Sequence, residues 1–187
     1  MFDTIAAVST PRGKGGIAVI RVSGPDAADI AARVFSVDLA SRPARSAVYG
    51  QILAPLPDGG CEVVDDGVAV FWRGPSSFTG EDTLELSCHG GVLVTQAVLE
   101  AVLAAGARPA EPGEFTRRAY LSGRIDLSQA EALGALLEAK TRSQLALSRG
   151  GMRGRLRERC AELGDALRTV AVSCMAAWLI FSRLTSA

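Results

Sequence analysis

At 187 residues, 48% of them hydrophobic, the chain is long enough for one cored globular domain and an appendage. Twenty Lys and Arg balance 20 Asp and Glu, so no global charge argues for nucleic-acid or membrane binding, although a local basic patch stays open. Cys61, Cys88, Cys160 and Cys174 form no Cys-x-x-Cys pair and His89 is the sole histidine, which argues against zinc and for reduced thiols in the cytoplasm.

The opening MFDTIAAVSTPRGKGG has acid ahead of a short apolar run and no small-residue cleavage pattern, unlike a secretory signal. Residues 3–8 and 16–22 read as two strands around the turn-rich TPRGKGG, a hairpin. Gly13, Gly15 and Ala18 match G-x-G-x-x-A, but that fingerprint must enter a helix, and here it enters a β-branched strand, which excludes a dinucleotide fold. The spacing of Ala27, Ile30, Ala31 and Val34 predicts a helix over 25–35. Residues 47–53 and 62–72 flank PLPDGGCE as a second hairpin. After the loop 74–80, TLELSC alternates as a half-buried strand, with Glu85 on the face opposite Leu84 and Leu86, and a helix over 92–105 stops at Gly106.

The densest stretch is EPGEFTRRAYLSGRIDLSQAEAL, 111–133. A short helix ends near Ser122-Gly123, and Asp126 or Ser128 caps the next, with Glu131 three residues after Ser128 in capping-box spacing. That second helix is expected to run from Leu127 to Ser148 and to break at Gly150-Gly151, with another starting near Met152. Arg124 sits in the turn between helices, where it can present a fixed charge; the plainer reading leaves Arg117, Arg118 and Arg124 all solvated. The expected fold is α+β, a mixed β-sheet with packed helices over 1–121 and a helical extension over 122–187. Residues 170–181, VAVSCMAAWLIF, are apolar all round but shorter than the roughly 20 residues of a membrane span, so either a partner helix covers them or the tail is foreign to the fold.

No nucleophile elbow, His-Glu-x-x-His or phosphate loop with its lysine occurs, so no nucleotide hydrolysis is expected from these residues alone. What remains is a binding constellation: Arg21 on the second strand, Glu85 in TLEL and Arg124 in the inter-helix turn. A carboxylate can accept parallel hydrogen bonds from an amino group beside a ring N–H, and arginines match carboxylates or phosphates. Separate salt bridges or exposed ends are the alternative. Cys88 and His89, at a strand end beside two glycines, read as turn geometry rather than a redox or metal pair.

Three blocks in order, DTIAAVSTPRGKGGIAVIRVSGP, GPSSFTGEDTLELSCHGG and EPGEFTRRAYLSGRIDLSQAEAL, resemble the N-terminal part of the bacterial MnmE (TrmE) tRNA-modification GTPases. The resemblance implies a tetrahydrofolate-binding-like domain that mediates homodimerisation and binds 5-formyltetrahydrofolate or 5,10-methylenetetrahydrofolate. It also implies a helical domain hosting a GTPase domain that uses GTP, Mg and K. With the flavin-dependent partner MnmG (GidA), the family modifies C5 of the wobble uridine in tRNA, the folate supplying the one-carbon unit. By motif position the folate contacts fall on Arg21, Glu85 and Arg124, with no catalytic residue and no metal ligand in this chain. The GTPase domain and the terminal cysteine motif do not occur here, and the apolar run after Arg168 replaces an expected acidic one, as in a truncated chain or a disrupted reading frame. A stand-alone aminomethyltransferase-type enzyme would need Glu81, Asp82 or His89 as acid or base, and a purely structural dimer module would use the charged residues as ion pairs.

Overall fold

The computed structural model of the protein describes residues 3–11, 13–56, 59–152 and 154–185. They fall into two units divided between Arg124 and Ile125. The first holds β1 (Ile5–Val8), β2 (Ile17–Ser23), α1 (Ala27–Val34), β3 (Ala47–Pro55), β4 (Cys61–Trp72), β5 (Thr83–His89), α2 (Val92–Ala104), β6 (Arg108–Pro109) and α3 (Glu114–Leu121). The strands form one mixed sheet in the order β3-β4-β5-β2-β1-β6, with β6 parallel to β1 and the other pairs antiparallel. It is an α+β fold.

Period-two alternation builds this sheet. On β2, Ala18, Ile20 and Val22 are buried, and on β5 so are Leu84, Leu86 and Cys88; the register sets Ile20 against Leu86 and Val22 against Leu84. Ile30 and Val34 of α1 and Val98 and Val102 of α2 join the same cluster, so both helices close one face of the sheet. Each such side chain, fully removed from water, contributes roughly 1.5–3 kcal/mol. The other face carries Val19, Arg21, Glu85, Ser87 and Val68, none of them fully buried, and exposes Ile17 and Tyr49.

Both hairpins form where the alternation places them. Arg12 of TPRGKGG and Pro57 and Asp58 of PLPDGGCE lie outside the described residues; beside the latter, Leu56 N–H donates to the Gly60 carbonyl at 2.9 Å. β3 shifts register between Ile52 and Leu53. Along its outer side Phe35 bridges to Ile52, Ser36 N–H donates to the Gln51 carbonyl (3.0 Å) and Gln51 N–H donates to Ser36 Oγ (2.9 Å). The two-residue β6 is too short to leave a periodic signal.

The second unit holds α4 (Leu127–Glu138), α5 (Arg142–Met152) and α6 (Arg155–Thr185), and here two expectations need correction. The capping box is Asp126 with Gln129, not Ser128 with Glu131: Gln129 N–H donates to Asp126 Oδ1 (2.8 Å) and Asp126 N–H to Gln129 Oε1 (2.9 Å). Ser128 instead donates its hydroxyl to Asp126.

The helix expected to run to Ser148 ends at Glu138, because Ala139 is extended and Thr141 with Gln144 makes a second box, Gln144 N–H to Thr141 Oγ1 and Thr141 N–H to Gln144 Oε1. Gly150 and Gly151 do not break α5 but lie inside it. A Cβ on Gly151 would stand 2.8 Å from the Ala132 Cβ, so the glycine permits close α4–α5 packing. Arg153, next to the expected start at Met152, lies outside the described residues. On α6, Val170, Val172, Met175 and Trp178 are each at least 60% exposed; nothing among the described residues covers them, and no described helix is long and apolar enough to cross a membrane.

Candidate functional site

Arg21 and Glu85 are cross-strand partners on the face of the sheet opposite α1 and α2. Arg21 Nε and Nη2 both reach Glu85 Oε1, at 2.9 and 2.7 Å, and Trp72 Nε1 at the end of β4 donates to Oε2 at 3.3 Å. Both side chains keep about a quarter of their surface exposed. The Arg21 guanidinium lies 5.6 Å from the Phe78 ring centre and 5.7 Å from that of Phe115, cation–π distances. Phe78 comes from the loop 74–82 and Phe115 from α3, so an aromatic slot flanks the pair.

Arg124 reaches the same loop from the turn after α3. Gly123 has φ +73°, and Ser122 Oγ donates to the Thr79 carbonyl at 2.6 Å. Gly80 has φ +82°, and a Cβ there would stand 2.9 Å from Ser122 Oγ and 3.1 Å from Arg124 Cγ. Only glycine allows that approach. The stem of Arg124 thus rests two residues from Phe78, and its side chain is exposed. The structure joins Arg21 and Glu85 directly and sets the stem of Arg124 against Gly80, in the loop that carries Phe78.

Arg118 overturns the expectation of a solvated side chain: it is 2% exposed. Its Nη1 donates to the Asp3 carbonyl (2.6 Å) and to both Glu81 oxygens (3.2 Å each), and its Nη2 to Asp3 Oδ1 (2.8 Å) and Glu114 Oε1 (3.1 Å). Arg108 adds two bonds to Glu114, at 2.9 and 2.7 Å. Those Arg108 bonds first, then the Glu111 N–H and Arg118, hold the Glu114 carboxyl down at about 2 against the opposing effect of burial. Glu81 also accepts the Ser23 hydroxyl at 2.7 Å. These partners lie up to 115 residues apart in the chain, so local pattern carried no sign of them. Trp72, Phe78 and Phe115 were missed for the same reason; their one sequence signal, an aromatic beside each charged motif, acquires meaning only once the register is known.

The acid and base groups that an independent transferase would need each make hydrogen bonds or ion pairs within the fold. Glu81 is taken by Arg118 and Ser23, and Asp82 Oδ1 accepts Gly74 N–H at 2.8 Å. Asp65 accepts both the His89 N–H and its Nδ1, each at 2.8 Å. That carboxylate raises the His89 pKa, and burial first, then Asp65, pushes the Cys88 thiol up to about 11, where it is a poor nucleophile. Donor atoms of Asp65, Asp66 and His89 lie within 4.8 Å of one another. The imidazole–carboxylate hydrogen bond and the Tyr49 hydroxyl on Asp66 already use this group to tie β3, β4 and β5 together.

Residues 4–124 match the family model described as GTP-binding protein TrmE N-terminus. Among curated proteins the chain is similar to the tRNA modification GTPase MnmE of Geobacter sulfurreducens, 52% identical over 90% of this chain and 37% of that protein. It is likewise similar to that of Carboxydothermus hydrogenoformans, 49% identical over 85% and 35%, and to that of Protochlamydia amoebophila, 44% identical over 96% and 38%. The chain thus spans a little over a third of the length of the relatives it matches. The sheet, its two covering helices and the Arg21–Glu85 pair all lie within the matched span, and the chain belongs to the TrmE N-terminal family of the tRNA modification GTPases.

Proposed function

We propose that the first unit binds a reduced folate, 5-formyltetrahydrofolate or 5,10-methylenetetrahydrofolate, through Arg21, Glu85 and Arg124. The observation that carries this reading is the Glu85 carboxylate, fixed by Arg21 and Trp72 beside two phenylalanines and still a quarter exposed. A carboxylate offers about four lone-pair directions; Arg21 takes two on Oε1 and Trp72 one on Oε2, so one direction on Oε2 stays open for a pterin N–H, and a second is accepted only when one of the Arg21 bonds gives way. Phe78 and Phe115 supply apolar ring surface at its side. Arg21 is committed to Glu85, so the exposed guanidinium of Arg124 suits the glutamyl tail. The bound folate would supply a one-carbon unit, and these residues would orient it.

In the whole protein this unit would serve C5 modification of the tRNA wobble uridine as a homodimer with the flavin-dependent MnmG (GidA) partner. GTP, magnesium and potassium would be handled by sequence outside these 187 residues. The exposed Ile17 and Tyr49, on the sheet face opposite α1 and α2, support dimerisation. A ligand held only by the native state at 100 times its Kd adds about 2.7 kcal/mol of stability. Saturating 5-formyltetrahydrofolate is therefore expected to raise the wild-type Tm by several degrees and to leave Glu85→Gln nearly unmoved, with dimer mass by light scattering in both cases. An unchanged wild-type Tm removes the folate reading. A purely structural dimer module is the second reading, favoured by the Arg21–Glu85 pairing that already satisfies both charges; a dimer without any folate-dependent shift would support it.

A further inference from the structure

We propose that Arg118 is a positioning residue for the Arg21–Glu85 site and acts through Glu81. The Glu81–Arg118 pair sets the separation between the loop 74–82, which carries Phe78, and α3, which carries Phe115, and so fixes the slot that holds Arg21. Its binding consequence rests on the folate reading; its structural consequence does not.

A buried ion pair is by itself weak ground for stability, since an apolar replacement of similar volume often serves as well. What a guanidinium gives is directional bonding, a planar fork that joins several segments at fixed angles. Here it joins the stretch before β1 at Asp3, the loop at Glu81 and its own helix at Glu114. Each junction leads toward the site. Phe115 follows Glu114 directly and stands three residues, about one helical turn, before Arg118. Glu81 receives the hydroxyl of Ser23, two residues beyond Arg21 on β2, and Ser23 in turn meets the buried Thr79 at 2.7 Å, next to Phe78. Ser77 donates its hydroxyl to the Glu81 carbonyl, so the loop folds around Glu81 on both sides. Removing the Glu81 charge would release the loop from the Arg118 side of α3, leaving the Ser122–Thr79 bond at the helix end and every hydrogen bond between β2 and β5 in place.

The test has two arms. In the first, hydrogen exchange is followed in the ligand-free wild type, Glu81→Gln and Arg118→Lys. The Gly74 and Glu81 amides, now bonded to Asp82 and Thr79, are expected to exchange about tenfold faster, with the amides of β2 and β5 unchanged. Asp3→Asn, which alters the carboxylate on Arg118 Nη2 and leaves the Glu81 contacts of Nη1 in place, is expected to leave the loop amides near wild type. A uniform rise across the sheet, or no rise in the loop, overturns the proposal.

In the second arm, calorimetric Kd values for 5-formyltetrahydrofolate close a cycle between Glu81→Gln and Phe78→Leu. Each change alone is expected to weaken binding about tenfold, and the two together also about tenfold, because both act on one loop. A combined loss of about a hundredfold would mean independent action and overturns the proposal. A wild-type chain that binds no folate removes the functional reading, while the exchange arm still decides the positioning claim.

Discussion

In the first unit α1 turns Ala27, Ile30, Ala31 and Val34 onto the sheet and buries all four, whereas in the second unit α4 buries none of its 12 residues and leaves Leu137 80% exposed. Both helices follow from their sequences, one through an apolar face and the other through a capping box. Only the first is backed by a core. Among the described residues every buried apolar side chain lies between Ile5 and Ala119. Local instructions suffice to start and stop a helix, but burial of an apolar face gives it most of its stability.

That contrast can be broken most directly by truncating one leucine in each unit. Leu86→Ala, at a fully buried position, is expected to lower the unfolding free energy by about 2–5 kcal/mol in urea titration. Leu137→Ala is expected to stay within about 0.5 kcal/mol. Equal losses would mean that α4 has a core of its own. A second measurement sharpens the picture of the first unit. Glu114 is depressed to about 2 from an ordinary value of 4.5, so its contribution is fully present above pH 4.5 and is lost as pH falls toward 2. The unfolding free energy from urea titration should fall across that window by an amount on the order of 2 kcal/mol, and Glu114→Gln should flatten the dependence. A parallel fall in the variant would place the acid sensitivity elsewhere. The smallest effect belongs to the second unit: Asp126→Ala removes the α4 cap and is expected to cost about 1 kcal/mol of local helix stability, read as lost amide protection over the first turn. Loss of protection in β2 or β5 as well would mean that the units unfold together.

How far the sequence revealed these features depended on the range of the forces involved. The β5 strand was legible because Leu84 and Leu86 alternate with polar neighbours, and β2 because GIAVIRV is a short β-branched apolar run after a turn-rich stretch, both signals carried within seven residues. Arg21, Glu85 and Arg124 could be selected by charge and motif, and the register then brought the first two into contact. Arg118 could not be distinguished from Arg117 by any local rule, since its burial depends on Asp3 and Glu81 from distant parts of the chain. The break before α5 was legible in principle: Thr141-x-x-Gln144 is a capping signature, but the glycine pair ten residues later offered a more familiar stop. Glycine lowers helix propensity without forbidding a helix, and contact with Ala132 keeps it in place here.

The outer side of β3 has a consequence for how copies of this protein meet at high concentration. A sheet ending in a long bare strand offers a template along which another chain can extend it, the route to fibres and swapped assemblies. Here Ser36 occupies the carbonyl and amide of Gln51, and Phe35 bridges to the neighbouring Ile52, so the strand is blunted near its middle by its own chain. Sideways growth of the sheet meets a closed margin there, and a serine hydroxyl works as a safeguard against aggregation.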